Sequence, residues 1–185
     1  IYRNGYYDVN YGARAVISGF NNPIANSCGC GGVAYVGVFD LDRDEYSGIT
    51  DLTPAWAWAE AGMSGKIIAD IVSHEVGHNL GLSHDGLAAS ANATPTGNNS
   101  YYMGDAAWGP IMGAGYDVAI THWSPGDYSG ITQNGGSTRL VGNNTEDDYA
   151  VMRFYGLELR ADDAGDTRAT ATSIPVSSTR TGVIE

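Results

Sequence analysis

His74-Glu75-Val76-Gly77-His78-Asn79-Leu80-Gly81-Leu82-Ser83-His84-Asp85 is the stretch that decides how this chain folds and what its centre can hold. His74 and His78 are four residues apart, which puts both rings on one face of a helix, within reach of one metal ion. Gly81 falls where that helix must stop, because glycine takes a positive φ without a Cβ clash. His84 then returns from beyond the turn as a third imidazole. Three protein ligands leave a fourth tetrahedral position open, which separates a catalytic zinc site from a closed structural one. Glu75, beside the first histidine, is placed to take a proton. The bland alternative is an amphipathic core helix that merely carries histidines. It fares poorly, since the chain has 4 histidines and three of them fall in this motif.

The residues before the motif agree with a helix. Ser64 is a candidate N-cap, and Ile67, Ile68, Ile71, Val72 and Val76 recur as an apolar stripe. Asp70 lies four residues before His74; it can be read as facing the metal or as a solvated surface carboxylate, and the solvated reading is preferred.

A second block supports the first. Trp108-Gly109-Pro110-Ile111-Met112-Gly113-Ala114-Gly115-Tyr116 places Met112 28 residues after His84. A methionine at a tight glycine-rich turn offers an apolar, adaptable floor beneath imidazoles, although alone it would pass for an ordinary turn. Together the two blocks resemble the metzincin metallopeptidases, whose pattern is H-E-x-x-H-x-x-G-x-x-H followed by a Met-turn. The run Gly77–Gly81 and the Asp85 that follows His84 are similar to the adamalysin or reprolysin-like branch. Thr121–Tyr128 and Asn143–Met152 look like the secreted bacterial members of that branch. The resemblance covers about residues 6–157.

That resemblance implies an α+β, metzincin-like zincin fold: a mixed, mostly parallel twisted sheet, an active-site helix, and a C-terminal subdomain ending in a helix. Residues 1–157 would form the catalytic domain, with an upper portion (residues 1–81) and a lower portion (residues 82–157). Residues 158–185 would be a linker and the start of a β-sandwich domain of the prepeptidase C-terminal type. It further implies a zinc endopeptidase that hydrolyses internal peptide bonds of proteins with a zinc-activated water. His74, His78 and His84 would hold one Zn2+, Glu75 would be the general base, and Met112 would form the Met-turn. Gly81 would set geometry, and Asp85 would pack under the ligand turn. Some metzincins carry a tyrosine ligand two residues after the methionine; here that position is Ala114, so Tyr116 is not expected to bind metal. His122 has no counterpart among the ligands and reads as surface.

Gly31–Phe39 is rich in β-branched and aromatic residues and reads as a strand. In metzincins the strand at this place is the antiparallel sheet edge, to which extended substrate adds by main-chain pairing. Val33, Ala34 and Tyr35 are therefore substrate-binding candidates, with a plain core strand as the equal alternative. Residues 6–19 read as an earlier strand and its approach. Asp40-Leu41-Asp42-Arg43-Asp44-Glu45 resembles the opening of a calcium loop, but Glu45 stands where such a loop needs glycine. A solvated acidic loop is preferred there over a Ca2+ site. Residues 86–105, rich in small and polar types, read as a surface loop. Asn144 or Thr145 is expected to cap a last helix, with Glu146, Asp147 and Asp148 in its first turn and Tyr149, Val151, Met152, Phe154 and Tyr155 as its apolar content.

Cys28 and Cys30 frame one glycine, and so short a ring disfavours their direct pairing. Either a partner lies upstream or both thiols are free.

At 185 residues the chain fits one domain with room for a sizeable core. Its 21 acidic residues against 9 basic ones give a net charge of −12, which repels nucleic acid. No apolar run approaches the ~18 residues of a membrane span. A secreted, extracellular monomer acting on proteins or peptides is the expectation. The start at Ile1 suggests processing or truncation, and metzincins commonly carry more than the 73 residues found before His74. A zinc-binding pseudopeptidase or binding module, inactive through truncation, is thus the main alternative, although such proteins usually lose the glutamate. A zinc hydrolase of non-peptide amides is the third reading.

Overall fold

The computed structural model describes residues 13–19, 23–40, 54–88, 100–105, 107–125 and 142–157, together with 167, 169–171 and 173. Eight elements occur among them. In chain order they are β1 (Arg14–Gly19), α1 (Pro23–Cys28), β2 (Gly32–Val33), β3 (Pro54–Ala59), α2 (Gly65–Asn79), β4 (Trp108–Pro110), β5 (Ile120–His122) and α3 (Asp148–Phe154).

The main sheet is mixed, in the order β1-β3-β2. β1 runs parallel to β3, with Arg14 opposite Pro54, and β2 is an antiparallel edge, with Gly32 opposite Ala57. β3, Pro-Ala-Trp-Ala-Trp-Ala, is central and was not anticipated. Its strand character lies in strict small–aromatic alternation rather than in β-branched residues. Pro54 opens it, where a missing ladder N–H is tolerated. Ala55, Ala57 and Trp58 are buried.

The edge strand is far shorter than Gly31–Phe39. After Val33 the chain leaves the sheet for the C-terminal end of α2. The Tyr35 carbonyl accepts from Asn79 Nδ2 at 2.9 Å, and the Gly37 and Val38 N–H groups donate to the His78 and Asn79 carbonyls at 2.8 and 3.0 Å. The helix end, not the sheet, satisfies this backbone.

α2 packs on β3. Ser64 caps it, its side chain accepting from the Ile67 N–H at 3.3 Å. At the other end Gly81 has φ +90°. Its N–H donates to the His78 carbonyl and that of Leu82 to the Gly77 carbonyl, at 2.9 and 3.0 Å. This paired closure satisfies carbonyls that the helix end would otherwise leave open. Beneath it Phe39, Leu80, Leu82, Met112 and Met152 form one buried cluster.

β4 and β5 form a parallel pair. The Ser124 N–H donates to Asp148 Oδ2 and the Asp148 N–H returns to the Ser124 carbonyl, tying the start of α3 to the chain after β5. The cap of α3 is Asp147, which accepts from the Tyr149 and Ala150 N–H groups. Asn144 instead braces Glu146, through Nδ2 to Oε1 at 2.9 Å and Oδ1 from the Glu146 N–H at 2.9 Å. The helix starts later than Asn144 or Thr145 because Asp147 offers the closer carboxylate. Met152 is its buried apolar residue, while Tyr149 and Phe154 are exposed.

Cys28 and Cys30 are paired with each other, against the expectation. Gly29 takes φ +60°, which folds the chain back, and the Cα atoms stand 5.2 Å apart, inside the ordinary disulfide range. Residues 6–12, the acidic run after Asp40 and the stretch from 158 (apart from 167, 169–171 and 173) lie outside the described residues, as does 89–99 of the 86–105 loop. The described end of that loop is only partly surface: Ser100 and Met103 are exposed, whereas Tyr102 is fully buried.

Candidate metal centre

α2 presents His74 and His78 one turn apart, and the turn after Gly81 brings His84 back to them. One ligating nitrogen from each ring can be chosen so that all three lie within 4.8 Å of one another. Nε2 of His78 and His84 are 3.0 Å apart, close to the ~3.3 Å between two ligands of a tetrahedral zinc with bonds of 2.0–2.1 Å.

Hydrogen bonds fix the first two rings. Nδ1 of His74 lies 2.8 Å from the Ile111 carbonyl, and Nδ1 of His78 lies 2.8 Å from the Leu82 carbonyl. A carbonyl accepts only from a protonated nitrogen, which leaves the Nε2 lone pair of each ring for a metal. Burial keeps all three imidazoles neutral. It lowers His74 to about 3, helped by His78, and His84 to about 4, again with His78 as the second cause. His78 is lowered chiefly by burial too. Three neutral imidazoles with converging lone pairs are the donor set of an open zinc site, so the residues fit that ion.

Glu75 is buried beside the triad, where desolvation raises its carboxyl to about 8. It lies against the edge strand: a Cβ at Gly32 would stand 2.6 Å from Glu75 Oε1 and would overlap the Trp56 carbonyl oxygen. Val33, Ala34 and Tyr35 follow directly, with Val33 and Tyr35 exposed.

Two phenols join the site. The Tyr101 ring centroid lies 4.3 Å from that of His84 and 5.9 Å from that of His74. Tyr116 Oη sits 3.5 Å from where a Cβ of Gly31 would be. Burial raises both tyrosines, and the Glu75 charge is the second cause for each. Tyr101 is a site residue that motif spacing does not reveal; its one signal in the sequence is an aromatic pair, Tyr101-Tyr102, inside a Ser/Asn/Gly-rich run.

Met112 is fully buried below the helix, and its Sδ would be 2.6 Å from a Cβ at Gly77. Gly77 therefore lets the methionine approach, a role the spacing alone did not reveal. Asp85 is fully buried as well. Its N–H donates to the Met112 carbonyl at 2.9 Å and its carbonyl accepts from the Tyr102 N–H at 2.7 Å. Glu146, expected only as a first-turn acid of the last helix, holds the third-ligand turn by accepting from the Ser83 N–H at 2.7 Å.

Asp70 is neither a solvated carboxylate nor a member of the triad. It pairs with Lys66 at 2.6 Å and accepts from Thr121 Oγ1 at 2.7 Å, because β5 runs beside its helix face. His122 is exposed and hydrogen-bonded to Trp108 Nε1, away from the triad.

The metallopeptidase family M12B, reprolysin-like, matches residues 5–85 of this chain. No curated protein and no solved structure matches it. The similarity ends just past His84, so it covers β1, the edge strand, α2 and the whole histidine set. With the triad, it supports a metzincin-like zinc peptidase, a hydrolase whose substrates are proteins or peptides. Among the described residues no helix is long and apolar enough to cross a membrane.

Proposed function

We propose that this chain is a secreted zinc endopeptidase that cuts internal peptide bonds with Glu75 as general base. The observation that carries the reading is the convergence of three neutral imidazoles beside a buried carboxylate. His74, His78 and His84 would hold the zinc, the first two through the Nε2 atoms left free by their carbonyl partners. When bound, the zinc supplies Lewis acidity to water and to the scissile carbonyl. Glu75 takes a proton from the attacking water and later delivers it to the departing amine.

Met112 floors the ligands, Gly81 aims the return to His84, and Asp85 locks the third-ligand turn onto the methionine turn. Extended substrate pairs with the edge strand β2 at Val33 and follows the chain along Ala34 and Tyr35, which leave the sheet toward α2. A position outside the cell accords with the Cys28–Cys30 disulfide, since such bonds persist in oxidising compartments. The test is cleavage of a random peptide library by the zinc-loaded protein, read by mass spectrometry with and without a chelator. Internal cuts that vanish with chelator are expected. A zinc-loaded protein that leaves the library intact would refute the reading.

A further inference from the structure

We propose that Tyr101 is a catalytic residue of this site: its phenol donates a hydrogen bond to the scissile carbonyl oxygen as that oxygen gains negative charge. This rests on the peptidase reading and adds to it a group that comes from outside the histidine motif.

Position is the first argument. The Tyr101 ring lies over His84 and against His74, at centroid distances of 4.3 and 5.9 Å and interplanar angles of 40° and 35°. The phenol is thus carried beside two of the three histidines of the triad. Tyr116 is placed differently, its Oη lying 3.5 Å from where a Cβ of Gly31 would be, beside the sheet edge.

Rigidity is the second. Tyr101 is not on a free loop tip. The next residue, Tyr102, donates its N–H to the Asp85 carbonyl at 2.7 Å and accepts from the Ala114 N–H at 2.9 Å. Its backbone is therefore stitched between the third-ligand turn and the Met112 turn. A donor fixed before the reaction costs no reorganisation when charge develops, which is the condition for strong electrostatic stabilisation.

Chemistry is the third. A phenol ionises only near pH ~10, so at neutral pH its O–H is a donor. No proton leaves Tyr101 in this role; the transfer from water to amine is carried by Glu75.

The test compares wild type with Tyr101→Phe, which keeps the ring against His84 and removes only the hydroxyl. Expected is a fall in kcat of about 10²-fold, the usual effect of losing one such donor, with KM and zinc stoichiometry little changed. Affinity for a phosphinic peptide, which presents tetrahedral oxygens, should fall in step, while affinity for a product peptide should not. Unchanged kcat and phosphinate affinity would overturn the proposal, and so would a loss of zinc affinity, which would mark a ligand or a packing residue. If the phenylalanine variant does not fold, Tyr101→Trp, which keeps a ring and an N–H donor, is compared with Tyr101→Leu; equal kcat in the two would also overturn it. Wild type that never cleaves sinks the peptidase reading and the tyrosine with it, whereas cleavage by wild type and an unaffected Tyr101→Phe sinks the tyrosine alone.

Discussion

Glu75 and Gly32 are in contact so close that residue 32 has no room for a side chain: a Cβ there would lie 2.6 Å from Glu75 Oε1 and overlap the Trp56 carbonyl oxygen. The carboxylate and the sheet edge are one packed unit. Gly32→Ala must push apart either β2 and β3 or β2 and α2, at the ~1–3 kcal/mol typical of overpacking. We expect a lower melting temperature, near-normal zinc content and a loss of peptide cleavage larger than the lost stability explains. An alanine variant with wild-type melting and turnover would show that the contact has no such consequence.

Glu75→Gln keeps the shape of the side chain and removes its basicity. Loss of a general base lowers turnover by ~10²–10⁴-fold, and the triad, anchored by Ile111 and Leu82, should keep its zinc. Metal analysis and cleavage on the same sample decide it. Substantial turnover in a zinc-loaded glutamine variant would remove Glu75 from the mechanism.

Gly81 and Tyr155 set where the third ligand arrives. Gly81 has φ +90°, and an added Cβ would run into the Tyr155 ring. Both faults of Gly81→Ala, the strained backbone and the clash, act on the turn that carries His84. We expect ~1–3 kcal/mol of lost stability and weaker zinc binding by competition with a chelator. Adding Tyr155→Ala relieves only the clash. If the double variant regains full zinc affinity, the ring and not the backbone was the constraint.

The histidine helix, its Ser64 cap and the Gly81 stop are legible in the sequence because each depends on neighbours within a few residues. β3 is not. Its alanines carry little strand preference and are chosen for the close approach of α2 to the middle of the sheet. The edge strand is shorter than its composition suggests because the backbone partners of residues 35–38 come from Asn79 and His78, a tertiary choice that periodicity does not encode. The same holds for Tyr101, Gly77 and Glu146. Each meets the site only after the chain has folded back, and the Cys28–Cys30 pairing turns on one positive φ at Gly29.

Asp148 makes stability depend on pH in a direction opposite to that of most carboxylates. It is fully buried, and its Oδ1 has no hydrogen-bond partner. Burial first, then the charges of Glu146 and Asp147, raise it to about 7, against the lowering effect of the Ser124 N–H; Asp85, buried nearby, is another acidic neighbour. The start of α3 favours an anion by only ~0.3–1 kcal/mol, less than the cost of burying an unpaired carboxylate. With the folded value above the unfolded one, the folded protein binds more protons between about pH 4 and 7. Stability is then greatest below that window and falls as pH rises through it. Asp148→Asn keeps an oxygen for the Ser124 N–H and carries no charge. Its melting temperature should vary less with pH across this window than that of wild type, and should exceed it at pH 8. Melting curves at matched ionic strength, with zinc saturating throughout, measure the difference; parallel pH profiles for the two proteins would mean that Asp148 is ionised in the fold at neutral pH.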